Sequence, residues 1–144
     1  MNQEQSQMMG AFLWGKKADT KLLKSDLTEN QDSLLAECVW QNGNKHSRSF
    51  CFNKADKLVI EDEMTATSDS YATIVLHPAC QVKVENGKAI IQREYITVCI
   101  EANVEPTIEK CWFSEEYGKE KETHKLCYPL NDNKLKTTIW IEKY

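Results

Sequence analysis

Apolar and polar residues alternate with a period of two along most of this chain, and that spacing is typical of half-buried β-strands. The alternation is clearest in residues 95–102, where Ile96, Val98, Ile100 and Ala102 would share one face. Residues 57–62 and 81–85 alternate in the same way. Weaker versions occur at residues 11–18, 34–41, 46–53, 71–77, 88–93, 107–113, 122–128 and 137–143. The pattern therefore predicts about ten strands.

Short turn signals separate these strands. Asn86-Gly87 is the strongest, because both residues tolerate the positive φ angles of a two-residue type I′ hairpin. Residues 42–44 (Asn-Gly-Asn) and 131–133 (Asn-Asp-Asn) predict two further turns. Residues 22–34 show no convincing helical period, and their closely spaced polar residues favour a loop or a short helical turn.

Strands with turns every eight to twelve residues predict an all-β fold. A two-sheet antiparallel β-sandwich without substantial helix is favoured over a closed barrel. We expect Trp40, Trp112 and Trp140 to supply bulky residues to the inner faces of the sheets. The 144 residues fit one domain, residues 1–144, which would bury roughly 70% of its unfolded surface.

Charge and hydropathy limit the classes of binding partner that we expect for this chain. The net charge is -4, and scattered Lys and Arg residues give no basic stripe of the kind that holds nucleic acid. A local run of Lys16, Lys17, Lys21 and Lys24 is interpreted as the solvated edge of a strand pair. No apolar run approaches the roughly 20 residues of a membrane-spanning helix, and residues 1–9 do not resemble a secretory signal. We therefore expect no nucleic acid and no membrane as partners, and no export of the chain as given.

The six cysteines and three histidines do not form a metal-binding pattern. No two cysteines have C-x-x-C spacing, and no histidine belongs to an H-x-H or H-E-x-x-H motif. Neither a metal site nor a cofactor is predicted. Six cysteines permit three disulfides, but a chain of this length does not need them, so buried free thiols are favoured.

Few residues offer catalytic chemistry. No nucleophile elbow, phosphate-binding loop or dinucleotide fingerprint is present. Glu61, Asp62 and Glu63 would point to alternating faces of a strand, which suits solvation or a turn better than a catalytic carboxylate pair. Tyr117 could serve as a base in principle, but residues 114–118 are read first as a polar turn that closes on Gly118.

The segment His46-Ser47-Arg48 is the most notable polar cluster. On a strand, His46 and Arg48 share the face that continues into Phe50 and Phe52, so two polar groups lie at the rim of an apolar face. In the functional interpretation they contact an anionic sugar or a neighbouring domain. In the alternative, Arg48 pairs with an acidic residue and His46 donates to the backbone.

Several short stretches occur in an order that points to one family. Residues 5–12 (QSQMMGAF) are followed by Gly15-Lys16-Lys17-Ala18, then by residues 46–50 (HSRSF) and 58–62 (LVIED). His77-Pro78 and Ser114-x-x-Tyr117-Gly118 continue the series. Together they resemble the carboxy-terminal β-sandwich of the heparinase II/III-like polysaccharide lyases, in which an H-x-R strand precedes a strand that ends in Asp. The resemblance covers nearly the whole chain.

The resemblance implies a two-part enzyme that cleaves uronic-acid polysaccharides by β-elimination. A helical toroid carries much of the sugar-binding cleft and the eliminase residues, and the sandwich packs beside it and completes the cleft. The resemblance places the metal ligands of some members, two histidines and an aspartate, before the point where this sequence starts. We therefore expect this chain to be the carboxy-terminal part of a larger protein. It would have no catalytic residue and no metal of its own, and it would show no lyase turnover by itself.

The resemblance also implies partners and candidate residues. The partners are the helical toroid of the parent protein and, through the parent, an acidic polysaccharide. His46, Arg48 and Tyr117 are the candidate substrate-binding residues. The parent is expected to be periplasmic or extracellular, because family members often are.

Three hypotheses follow. An accessory lyase domain predicts an exposed apolar patch on one face, left bare without the toroid. An independent carbohydrate-binding module would use exposed tryptophan rings, for which Trp14, Trp40, Trp112 and Trp140 are available. A structural interaction domain without sugar contact is the third.

Overall fold

Thirteen strands and no helix make up the part of the chain that the computed structural model describes, residues 6–10, 13–65 and 69–142. The strands are β1 (Ser6–Gly10), β2 (Leu13–Lys17), β3 (Asp19–Leu27), β4 (Gln31–Val39), β5 (Lys45–Asn53), β6 (Lys57–Met64), β7 (Tyr71–Val75), β8 (Gln81–Glu85), β9 (Lys88–Arg93), β10 (Ile96–Ala102), β11 (Thr107–Glu116), β12 (Lys119–Pro129) and β13 (Lys134–Ile141). The predicted all-β class is confirmed. Of the strands predicted at residues 11–18 and 137–143, Ala11, Phe12 and Lys143 lie outside the described residues.

Eight strands form one antiparallel sheet in the order β3-β4-β5-β6-β13-β10-β9-β8. Consecutive hairpins build β3 to β6, and β13 returns from the end of the chain to lie between β6 and β10. A second sheet has the order β11-β12-β7, and β1 pairs separately with β2. The predicted two-sheet antiparallel sandwich is therefore confirmed.

The predicted turns form where the sequence placed them. Asn86 and Gly87 have φ angles of 52° and 75°, as a type I′ hairpin between β8 and β9 requires. Gly43 (φ 83°) lies in the turn between β4 and β5. Asp132 and Asn133 also have positive φ angles, in the turn before β13. Asn and Asp are the non-glycine residues that adopt this conformation most readily.

The core lies between the three-stranded sheet and one half of the eight-stranded sheet. Its buried members are Leu76, Ala89, Ile91, Ile100, Leu126, Tyr128 and Leu135. Partly buried residues of β7, β8, β10 and β13 pack against them. Within the described part of the chain, no residue of β3–β6 belongs to this cluster. The three-stranded sheet therefore covers the half formed by β13, β10, β9 and β8.

The same face of the large sheet continues, uncovered, across β3–β6. Directly paired residues of an antiparallel sheet share a face. One such row crosses all eight strands, namely Leu27-Asp32-Phe52-Leu58-Ile139-Ile100-Ala89-Val84. Ile100 and Ala89 are buried in the core, whereas Leu27 is 70% and Phe52 43% exposed. Leu22 and Leu34 are also exposed on this side, and we call Leu22, Leu27, Leu34 and Phe52 the bare inner face.

The loop expected at residues 22–34 is wrong, because this segment contains the end of β3, a turn and the start of β4. The turn is closed by the Thr28 amide, which donates to the Gln31 carbonyl at 2.9 Å. β3 is an edge strand that is exposed along its whole length, and its register shifts between Leu22 and Lys24. An edge strand in water tolerates polar residues on both sides, and the bulge interrupts the alternation. Lys21 and Lys24 lie on this strand, as the solvated-edge interpretation predicted.

The expected role of the tryptophans as bulky inner-face residues is wrong for Trp140, and Trp112 lies on the expected side but is not buried there. Trp112 pairs with Glu122 on the side of the three-stranded sheet that also carries Leu126 and Tyr128, yet it is 66% exposed. Trp140 pairs with Lys57 and Cys99 on the outer face, where the Lys88 ammonium lies 4.8 Å from its ring centroid. Trp40 is half-buried just after β4, and the side chain of Trp14 lies outside the described structure.

Candidate functional site

His46 and Arg48 lie on β5, on the side of the large sheet that also carries the core. Arg48 pairs with Asp62 on β6, and Asp62 pairs in turn with the buried Leu135 on β13. On its other side Arg48 pairs with Ala36, which pairs with Leu22 of the bare inner face. The row therefore places Arg48 and Asp62 at the boundary between the covered core and the bare inner face.

A single carboxylate oxygen joins the two basic residues. His46 Nε2 and Arg48 Nε each lie 2.6 Å from Asp62 Oδ1. The side chain of Asp62 is only 4% exposed, whereas those of His46 and Arg48 are 24% and 40% exposed. Asp62 therefore lies beneath His46 and Arg48 and holds both of them from the buried side.

The electrostatics of this cluster keep Asp62 ionised. Burial by itself would raise the pKa of Asp62, but hydrogen bonds and charge from His46 and Arg48 outweigh burial and hold the pKa below its ordinary value. An ionised carboxylate only accepts hydrogen bonds, so His46 Nε2 carries the proton that it shares with Oδ1. His46 is therefore fixed as a donor toward Asp62.

Aromatic rings support both basic side chains. The ring of Trp40 stacks on the His46 imidazole with centroids 6.3 Å apart and planes 16° apart. The guanidinium carbon of Arg48 lies 5.9 Å from the centroid of the Phe50 ring. The Trp40 indole N–H is buried and has no hydrogen-bond acceptor among the described residues. These contacts restrict the orientations of the two basic side chains.

Glu61 and Glu63 point away from this cluster, as strand alternation predicts. They line a shallow groove on the outer face and pair with Lys136 at 2.8 Å and Lys134 at 3.3 Å. The three acidic residues are therefore divided between the two faces of the sheet. Glu61 and Glu63 lie on the outer face, and only Asp62 lies on the inner face with His46 and Arg48.

Tyr117 lies apart from His46 and Arg48. It occupies the turn between β11 and β12 in the three-stranded sheet, and its side chain is fully exposed. Gly118 follows it with a φ of 75°, so the predicted turn is confirmed. Tyr117 shares no hydrogen bond with the Asp62 cluster in the described part of the chain. His77, also part of the motif series, pairs with Glu115 at 3.2 Å and contacts the Phe113 ring edge.

The described residues show neither a metal site nor a disulfide. Within residues 6–10, 13–65 and 69–142, no three His, Cys, Asp or Glu side chains gather as metal ligands would. All six cysteines are free thiols, of which Cys99 and Cys127 are buried and the other four partly buried. Burial is the main cause that raises the pKa of both buried thiols. In the same described part, no helix is long and apolar enough to span a membrane.

The role of Asp62 is what sequence reasoning missed. It was assigned with Glu61 and Glu63 to solvation, whereas the alternative in which Arg48 pairs with an acid did not identify the partner. The available signal was the alternation itself, because Asp62 shares a face with Leu58 and Ile60 and not with its acidic neighbours. A charged residue on an apolar face of a strand needs a partner there.

Comparisons with known proteins agree with this architecture. The family model described as "Heparinase II/III-like, C-terminal" matches residues 1–142. A heparinase III gene product superimposes with a TM-score of 0.74 at 19% identity, covering 87% of this chain and 22% of the other. The heparan sulfate lyase HepC from Pedobacter heparinus gives a TM-score of 0.77 at 14% identity, with the same coverage of both chains. A further heparinase III structure gives 0.62 at 19% identity, covering 88% of this chain and 21% of the other.

At these identities the solved structures show that the fold is shared, and they do not by themselves show a shared activity. The chain spans about a fifth of the length of the lyases that it matches. A comparison with curated protein sequences finds no match. Because the family model covers almost the entire chain, this protein belongs to the heparinase II/III-like, C-terminal family.

Proposed function

We propose that this chain is a non-catalytic β-sandwich domain that works as the carboxy-terminal part of a polysaccharide lyase. The matched structures are named heparinase III and heparan sulfate lyase. By analogy, the parent protein would cleave an acidic, uronic-acid polysaccharide by β-elimination. We further propose that the parent acts in the periplasm or outside the cell, where such polymers are encountered.

The observation that carries the proposal is the bare inner face beside the Asp62 cluster. Leu22, Leu27, Leu34 and Phe52 lie on a face whose continuation forms the core, yet the second sheet leaves them exposed. Contiguous exposed apolar surface of this kind marks an interaction site. The chain spans about a fifth of each matched lyase. The occupant that we propose is the rest of the parent, the helical toroid that the family resemblance implies.

The Asp62 cluster suits substrate contact at the margin of that interface. Arg48 and His46 stand at the end of the apolar rows and are partly exposed. Docking of the helical part against the bare inner face would bring its cleft next to these two residues. His46, Arg48 and Tyr117 remain the proposed substrate-binding residues, with Tyr117 reaching the polymer from the exposed tip of the β11–β12 hairpin.

The same geometry supports a non-catalytic role. Elimination requires a group that neutralises the uronate carboxylate, a base and an acid in one place. Here the imidazole of His46 is committed to Asp62, and the only proposed tyrosine lies on the other sheet. We therefore expect the parent to supply its catalytic groups from elsewhere.

An independent carbohydrate-binding module is the second candidate. Trp112 favours it, because an indole 66% exposed on a strand offers a rigid, flat surface for a sugar ring. Its cross-strand partner Glu122 is paired with Lys110 at 2.8 Å, so polar groups flank the ring. In this case Trp112→Ala would abolish binding of neutral and acidic oligosaccharides alike.

The test uses the purified 144-residue chain with heparan-sulfate-type oligosaccharides. We expect no unsaturated uronate product by ultraviolet absorbance and weak, salt-sensitive binding by tryptophan fluorescence or calorimetry. Trp112→Ala should leave that binding in place. Turnover by the chain alone would overturn the non-catalytic assignment, and complete loss of binding in Trp112→Ala would favour the module instead.

A further inference from the structure

The contacts of Arg48 leave most of the hydrogen-bond donors of its guanidinium group unused. The Nε atom is 2.6 Å from Asp62 Oδ1, and this is the hydrogen bond that the described residues offer to the group. The two terminal nitrogens have no protein acceptor in the described part of the chain. The side chain is 40% exposed, so these nitrogens are accessible from solvent. A guanidinium edge of this kind matches two oxygens of a sulfate or carboxylate.

The position of Asp62 explains why this edge faces outward. Its side chain is almost completely buried against β13, and one oxygen holds both Arg48 Nε and His46 Nε2. A carboxylate on the surface would compete with a ligand for the outer edge of the arginine. A buried carboxylate holds the inner side instead and leaves the terminal nitrogens pointing away from the core.

The neighbouring aromatic rings limit the remaining freedom of both groups. Phe50 lies under the guanidinium carbon of Arg48 at 5.9 Å, and Trp40 stacks on His46 at 6.3 Å. Flexible arginines lose rotational freedom when they bind an anion, and an arginine already fixed loses less. The arrangement is that of a preorganised anion-binding group.

From these contacts we propose that Asp62 is the positioning residue of an anion-binding site in which Arg48 grips a sulfate or carboxylate of the polysaccharide. The proposal rests on the proposed function, because the polymer must pass along the margin of the docked inner face to reach Arg48. Asp62 itself does not touch the ligand. Its role is to hold the guanidinium group in the orientation that presents two donors at once.

The substitution Asp62→Asn separates positioning from simple electrostatics. It removes one negative charge next to Arg48, so charge alone would strengthen the binding of a polyanion. If orientation is what matters, the same substitution weakens binding, because the neutral amide is a weaker acceptor and holds Nε less firmly than the carboxylate does. We expect heparan-sulfate-type oligosaccharide to bind Asp62→Asn about tenfold more weakly at low salt.

Arg48→Lys provides a second variant, which decides the question if Asp62→Asn does not fold. Lysine keeps the positive charge but lacks both Nε and the paired terminal nitrogens, so an affinity loss of about tenfold is again expected. Lys45→Gln is the matched control on the same strand, since Lys45 lies on the opposite face and pairs with Glu37 at 3.4 Å. It should change affinity by no more than about twofold.

Binding is measured by calorimetry on variants whose circular dichroism matches the wild type. Two probes identify the anion, a sulfated oligosaccharide and its desulfated counterpart, which retains the uronate carboxylates. A loss confined to the sulfated probe assigns Arg48 to sulfate, and a loss with both assigns it to carboxylate. If the wild type binds and both variants bind equally well, the positioning role is refuted while the proposed function stands. If the wild type binds neither probe, both fail.

Discussion

Asp62 is the side chain whose ionisation should govern the acid stability of this domain. Hydrogen bonds from His46 and Arg48 outweigh burial and hold its pKa below the ordinary value of about 4. A carboxyl group with a lowered folded-state pKa stabilises the fold above its unfolded pKa. That stabilisation is lost as the pH falls through the folded pKa.

We expect Asp62→Asn to lower the free energy of unfolding by about 2 kcal/mol near neutral pH, because the neutral amide is a weaker acceptor for Arg48 and His46 than the carboxylate. The difference from the wild type should narrow below about pH 4, since only the wild type loses stability by protonation there. Urea unfolding at a series of pH values measures this. A constant difference down to pH 2 or so would show that Asp62 does not titrate in this range.

Tyr128 presents the opposite case, a buried polar group without a partner. It is 1% exposed in the core, and its hydroxyl has no hydrogen-bond partner among the described residues. Burial raises the pKa of Tyr128 to about 12. An unpaired buried hydroxyl costs about 1–3 kcal/mol of desolvation, so Tyr128→Phe should leave the domain equally or more stable.

Thermal or urea unfolding of Tyr128→Phe checks this prediction. Tyr71→Phe is its control, because Tyr71 is 63% exposed and should respond by no more than about 0.5 kcal/mol. A destabilisation of Tyr128→Phe by about 1 kcal/mol or more would mean that the hydroxyl makes a hydrogen bond after all.

Strands and turns could be predicted from sequence wherever local chemistry decides the structure. Asn86-Gly87 has the backbone conformation that its residue types favour, and β8 shows the alternation expected of a strand with one face in the core. β10 is a strand as predicted, but it is buried on both faces, at Thr97 and Cys99 as well as at Ile100. The β3–β4 hairpin could not be predicted in this way. β3 has no buried face, so its sequence carries no alternating signal, and only its pairing with β4 makes it a strand.

The candidate site shows the same division between local and long-range information. His46 and Arg48 could be assigned to one face from their spacing alone. Their partner Asp62 lies 14 residues beyond Arg48, and the contact depends on the register of β5 with β6. Register follows from the hairpin between them and from which faces are buried. The register is a property of the folded sheet and not of the local sequence. The same is true of Tyr117, whose place on a different sheet depends on the tertiary structure.

The domain as a whole is asymmetric, because an eight-stranded sheet is covered by only three strands. The alternation of β4 to β6 is that of strands with a buried face, yet part of that face is exposed in this chain. Periodicity alone could not show this, since it reports that a face is apolar and not what covers it. The exposed patch was predicted only by the accessory-domain hypothesis, which comes from the family resemblance. The mismatch between apolar pattern and exposure is what supports the partner surface proposed above.

Leu27 offers the sharpest test of that partner surface. Because it is 70% exposed, Leu27→Ser should change the free energy of unfolding of the isolated chain by no more than about 0.5 kcal/mol. In a longer polypeptide that includes the helical part proposed for the parent, docking would bury this leucine, and the same substitution should cost about 1–2 kcal/mol.

Val75→Ser is the matched control, since Val75 is 52% exposed on β7 of the other sheet and should behave alike in both polypeptides. Urea unfolding measures the change in the free energy of unfolding for each substitution, both in the isolated chain and in the longer polypeptide. A cost for Leu27→Ser that appears only in the longer polypeptide identifies β3–β6 as the docking face. The same cost for Val75→Ser and none for Leu27→Ser would place the interface on the three-stranded sheet instead, and the exposed leucines would then need another explanation.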